Sequence, residues 1–128
     1  MIEKKILIVE DDEPIRDLYV KVFSDNGFDV FFAKTGDEAL EILEDEEIPV
    51  MFIDINIPGM SGIELAKKIL EKKKNVIMHA VTGYDATFTQ DECLDAGFEE
   101  FFIKPVAMNE LLMTANHALD ELNRRKMR

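Results

Sequence analysis

Val50-Met51-Phe52-Ile53-Asp54, followed by Ile55-Asn56-Ile57-Pro58-Gly59-Met60-Ser61-Gly62, is an apolar run of strand length that ends in a carboxylate and then breaks into a turn. A run that is apolar at successive positions, not alternate ones, suits a strand buried on both faces, as in a parallel sheet covered by helices. A second run, Ile6-Leu7-Ile8-Val9, ends the same way in Glu10-Asp11-Asp12. If the two strands are parallel neighbours, at least three carboxylates converge on one edge of the sheet. Such a cluster needs a cation. An all-oxygen ligand set favours a hard divalent ion, and Mg2+ is the usual choice where a phosphoryl group supplies part of the coordination sphere.

Strand-length apolar runs recur at 5–9, 28–32, 50–53, 76–81 and 98–103, with helix-length segments between them. This five-fold alternation predicts a doubly wound α/β fold with helices on both faces of a parallel sheet. The first helical segment has Pro14 near its start and Ile15, Leu18, Tyr19, Val22 and Phe23 at the spacing of one helix face, and Gly27 stops it. Thr35 caps a second helix through Ala39, Leu40 and Leu43, and Ser61 caps a third carrying Ile63, Ala66, Ile69 and Leu70. A fourth, more polar helix is expected over 87–96, stopped by Gly97. The last runs from about Met108 past Leu122, with Leu111, Leu112, Ala115, Ala118, Leu119 and Leu122 inward.

The 128 residues suit one domain, with its core at about 5–122 and no internal repeat, low-complexity tract or linker. A formal charge of -12 disfavours nucleic acid and anionic membranes as partners. The basic end from Arg124 onward reads as a helix C-terminus complementing its own dipole. With no membrane-length apolar stretch and no signal peptide, the expected location is cytoplasmic. The single cysteine, Cys93, excludes an internal disulfide and reads as packing.

Ligands of doubly wound sheets bind at the carboxyl ends of the strands. There the fourth run adds Thr82-Gly83-Tyr84 and the fifth adds Lys104-Pro105. Three carboxylates, a hydroxyl and an ammonium around one point can hold Mg2+ and an anion together. Taken singly, Asp11 and Asp12 also suit helix caps, Asp54 a turn and Lys104 a solvated charge; their joint occurrence argues for a site. His79 and His117 are too far apart in sequence to read as a ligand pair and are expected to be structural.

Glu10-Asp11, Asp54, the Pro58-to-Gly62 turn, Thr82 and Lys104-Pro105, each at the end of the right strand, resemble the CheY-like receiver domain of two-component response regulators over nearly the whole chain. The resemblance implies the flavodoxin-like (βα)5 three-layer α/β/α fold, and the strand order 2-1-3-4-5 is taken from it. It implies Asp54 as phosphoacceptor for a histidine kinase or histidine phosphotransfer protein, and a signalling switch that catalyses only its own phosphorylation and dephosphorylation. Asp11, Asp54 and the backbone carbonyl of Asn56 would ligate Mg2+, with Glu10 acting mainly through a bound water. Thr82 and Lys104 would contact the phosphoryl oxygens, Thr82 and Phe101 would form the switch, and Asn56 and Tyr84 would modulate hydrolysis. A downstream target, or a second receiver, would read the face of the fourth helix, fifth strand and fifth helix.

The chain departs from the family pattern at three places. Glu10 stands where Asp is frequent, Ala107 where a capping Asp or Ser commonly precedes the last helix, and Phe101 where Tyr is common. Asp12 is read as the cap of the first helix. Three other readings fit less well. A haloacid-dehalogenase-type phosphatase would need an acid at Asn56 and its motif on the first strand. A flavodoxin-type FMN carrier would need a Ser/Thr/Gly-rich first loop where Glu10-Asp11-Asp12-Glu13 stands. A degenerate receiver acting only as a binding module would lack part of the acidic set or the lysine, and this chain lacks none.

Overall fold

A computed structural model describes residues 1–83 and 88–127. Five parallel strands, β1 (Lys5–Val9), β2 (Asp29–Ala33), β3 (Val50–Asp54), β4 (Ile77–Thr82) and β5 (Phe98–Ile103), form one sheet in the order β2-β1-β3-β4-β5. Between and after them come α1 (Glu13–Asp25), α2 (Gly36–Asp45), α3 (Gly62–Lys72), α4 (Gln90–Asp95) and α5 (Met108–Lys126). The expected fold class is thus observed.

Apart from His79 and the residues at their ends, the three central strands are apolar because each side chain has a helix layer to enter. Ile6, Ile8, Val50 and Phe52 join Tyr19 and Phe23 of α1 and Leu111 and Leu119 of α5. Their neighbours Leu7, Val9, Met51 and Ile53 join Leu43 of α2, Leu65 and Ile69 of α3 and Cys93 of α4. The edge strand β5 differs. Phe98 pairs with Met78 and Glu100 with His79, so Glu99 is an extra residue, and both Phe98 and Phe101 face the α2/α3/α4 layer.

Several boundaries move from their expected positions. β2 and β4 each begin and end one residue later than the apolar run, and β3 extends to include Asp54. α4 begins at Gln90, behind a capping box of Thr89 and Glu92; the expected start at Thr87 lies outside the described residues. The larger correction concerns α1. Leu18 is 49% exposed, whereas Arg16 is 5% exposed and shares the inner face with Tyr19 and Phe23. Thr35 and Ser61 cap α2 and α3 as expected, accepting from the backbone N–H of Glu38 and Glu64. Gly27 and Gly97, just past α1 and α4, have φ of +86° and +110°. α5 starts at Met108 behind Ala107 with no side-chain cap.

Candidate functional site

Strand order reverses between β1 and β3, and the loops leaving their carboxyl ends open a crevice there. Glu10 follows β1 directly and Asp54 closes β3; both are buried, and Asp11 is exposed. One carboxylate oxygen from each of the three lies within 4.8 Å of the others. From the end of β5, Lys104 reaches across. Its Nζ donates to Glu10 Oε1 at 2.7 Å and to Asp54 Oδ2 at 2.9 Å.

The other oxygen of Asp54, Oδ1, accepts from the backbone N–H of Asn56 at 2.9 Å. The side-chain amide of Asn56 donates in turn to Thr82 Oγ1 at 3.3 Å. Thr82 is buried at the end of β4, and its carbonyl accepts from the N–H of Lys104 at 2.7 Å. Thr82 pairs with Ile103 and Phe101 with Ala80, so Thr82 and Phe101 are diagonal neighbours on one face of adjacent strands. Phe101 is half-buried there. The Lys104-Pro105 peptide bond is cis.

The local chain explains this convergence. Asp12 caps α1, its Oδ1 accepting from the N–H of Ile15 at 3.1 Å, while its own N–H donates to Glu10 Oε2 at 3.2 Å. The first loop therefore folds back on the Glu10 carboxylate. After Asp54, the turn returns so closely that a Cβ on Gly62 would lie 2.7 Å from both the Asp54 carbonyl oxygen and Ile55 Cα. Only glycine fits where α3 begins.

Charge in the crevice is unbalanced, with three carboxylates around one ammonium. Burial pushes the Glu10 carboxyl up to about 7; the hydrogen bond from Lys104 opposes this and the Asp54 charge adds to it. Burial alone would lower the Lys104 pKa, but its hydrogen bonds to Glu10 and Asp54 outweigh that and hold it above the usual lysine value. A hard divalent cation fits this donor set, which is all oxygen, close-set and in excess of negative charge.

Residues 6–116 match the family described as the response regulator receiver domain. The chain belongs to this family. It is 38% identical over 114 residues to a cyclic di-GMP phosphodiesterase of Thermotoga maritima, covering 89% of this chain and 30% of that protein. To the sporulation initiation phosphotransferase F of Bacillus subtilis it is 34% identical over 111 residues, covering 87% of this chain and 90% of that one. Among solved structures, a CheY-like response regulator receiver domain protein from Methanospirillum hungatei superposes with a TM-score of 0.91 at 32% identity, over 97% of this chain and 99% of that one. The chain spans only 30% to 48% of the length of the first curated relatives it matches.

In this receiver domain Glu10, Asp11, Asp54, Asn56, Thr82 and Lys104 come together at one crevice, with Phe101 one step behind it. Tyr84 lies outside the described residues. His79 is buried in the sheet and His117 is exposed on α5, so neither enters the site. No described helix is long and apolar enough to cross a membrane. The sequence reading missed Arg16. Its Nη1 donates to the Glu10 carbonyl at 3.5 Å and its guanidinium lies 5.2 Å from the Phe32 ring centre, so it braces the first loop from below. The signal was present, because Arg16, Tyr19 and Phe23 share the i, i+3, i+7 spacing.

Proposed function

We propose that this receiver domain accepts a phosphoryl group on Asp54 from a histidine kinase or histidine phosphotransfer protein, in a Mg2+-dependent reaction, as a switch in a phosphorelay. The observation that carries this reading is the Asp54 carboxylate, within 4.8 Å of the Glu10 and Asp11 oxygens and 2.9 Å from the Lys104 ammonium. A bound Mg2+ would supply charge neutralisation and orientation to an incoming phosphoryl group, held by Asp11, Asp54 and the Asn56 carbonyl with Glu10 through a water. The Asp54 carboxylate attacks phosphorus, an O–P bond forms, the donor's N–P bond breaks and the electron pair leaves with the imidazole. Lys104 is already at the carboxylate and moves from Asp54 to the phosphoryl oxygens. The Thr82 hydroxyl, which now accepts from Asn56, turns to donate to a phosphoryl oxygen.

That movement leaves space on the face where Phe101 sits diagonally, and the ring gains by burial there. The signal then emerges on α4, β5 and α5, where a downstream protein or a second receiver reads it. Turnover is limited to the domain's own phosphoryl group, hydrolysed by an in-line water at a rate that Asn56 and Tyr84 modulate, and the setting is cytoplasmic. Acetyl phosphate with Mg2+ should label the wild type at Asp54, read by intact mass and acid-stable trapping, and Asp54→Asn should take no label. Undiminished label on that variant overturns the assignment. Tyr84→Ala should shorten the lifetime of the phosphorylated form, measured as decay of the label. In amide NMR with beryllofluoride and Mg2+, shifts should reach α4, β5 and α5, and Thr82→Ala should confine them to the crevice.

A further inference from the structure

Two neighbouring helices on one side of the sheet carry opposite charge. Residues 37–47, covering α2 and the turn after it, hold seven carboxylates and no basic residue; residues 67–74, at the end of α3, hold five lysines and one glutamate. α2 and α3 pack side by side. Each returns the chain between parallel strands, so they run in the same direction. Between them lies a groove of about 620 Å³ with Leu40, Leu43 and Ile69 along its floor and Glu44, Lys68 and Lys72 at its rims. The opposite charges barely meet across it. Among the described residues one ion pair joins the two segments, Lys73 Nζ to Glu47 Oε1 at 3.0 Å, and Lys67, Lys68, Lys72 and Lys74 form none.

We propose that this face binds a second copy of the chain about a two-fold axis running along the groove. Rotation about a line parallel to both helices exchanges left and right and keeps height along the axis. It therefore lays α2 of each copy against α3 of the other, both pairings at matched height. Glu44, Lys68 and Lys72 flank the same groove and so meet as opposite charges across the interface. The chain itself supplies the complementary acidic and basic pattern that this face requires of an occupant.

Salt has two opposed effects on such a pair. The net charge of -12 repels copies at long range. A Debye length of about 8 Å at about 0.15 M salt screens that repulsion and spares charges at contact distance, whereas about 3 Å at 1 M weakens both. Association should therefore peak at intermediate salt, a signature that an apolar interface lacks.

The test is sedimentation velocity of the unphosphorylated protein at submillimolar concentration across a salt series. The wild type should shift toward dimer near about 0.15 M and return to monomer near about 1 M. Lys68→Glu with Lys72→Glu, and Glu41→Lys with Glu44→Lys, change only exposed positions on the two helices. Each double variant alone should remain monomeric, with circular dichroism and beryllofluoride binding unchanged. Mixed in equal amounts they should form a heterodimer, because each offers the charge the other has lost. A wild type that stays monomeric at every salt concentration, a dimer that survives either double variant, or a mixture that stays monomeric would overturn the proposal.

Discussion

His79 in the middle of β4 and Lys104 just past β5 are both ionisable and withdrawn from water, and the chain resolves the two burials in opposite ways. His79 stacks on Phe52 with ring centres 4.6 Å apart, and its Nδ1 donates to the Met51 carbonyl at 3.2 Å. Burial pulls its pKa down to about 4, so it sits in the sheet as a neutral ring. Lys104 keeps its charge because two carboxylates stand within 2.9 Å of its Nζ. Deep in a sheet, where each side chain meets another apolar layer, giving up charge is the cheaper solution. At the open strand ends, loops bring several charged groups together, and pairing becomes cheaper. Only the second solution leaves charge available for chemistry.

The most severe way to break this contrast is Lys104→Met, which leaves Glu10 and Asp54 buried without their cation. Removing one partner of a buried ion pair costs about 4 kcal/mol. Urea denaturation in the presence of a chelator should show that loss, and added Mg2+ should restore more stability to the variant than it adds to the wild type. A change below 1 kcal/mol would mean that the pairing contributes little.

At His79 the contrast is tested by pH. The folded pKa of about 4 lies below the usual 6.5, so below 6.5 the unfolded chain binds a proton that the folded chain refuses. The stability due to neutral His79 is therefore complete above pH 6.5 and is lost as pH falls toward 4, a change of roughly 3 kcal/mol. His79→Phe should flatten this part of the stability profile relative to the wild type in matched urea titrations at successive pH values. Parallel profiles for the two proteins would place the acid sensitivity elsewhere.

The smallest expected effect comes from adding a charge that stays in water. Ala107 is exposed at the start of α5 and provides no cap. Ala107→Asp would put a carboxylate near the same strand ends with no burial cost, and should raise stability by about 1 kcal/mol, seen as a higher melting temperature.

The five strands and their parallel pairing were legible because both-sided burial writes itself as continuous apolar runs. The site was legible for a related reason: a charged residue directly after such a run has no place to go but the strand end, which is how Glu10, Asp54 and Lys104 could be placed together. Strand ends shifted by a residue because the first backbone hydrogen bonds, which apolarity does not encode, set the limits of β2 and β4. Leu18 misled because a stripe of apolar spacings does not reveal which of two overlapping faces meets the core. Arg16 won the inner face because the loop carbonyl of Glu10 and the ring of Phe32 receive it. The start of α4 was misplaced although Thr89 and Glu92 spell a capping box, a signal carried by two polar residues in a segment poor in apolar ones.

Glu99, the extra residue of β5, does not alter which rings enter which layer, since Phe101 and Phe102 would meet Ala80 and Val81 in a regular ladder as well. Its consequence lies outside the molecule. β5 is an edge strand, and an uninterrupted edge is a template on which a neighbouring chain can build another strand. A bulge interrupts that template, and the exposed carboxylates of Glu99 and Glu100 make it repellent. Deleting Glu99 should leave a folded, well-paired domain that clouds on concentration, so this residue serves colloidal behaviour more than architecture.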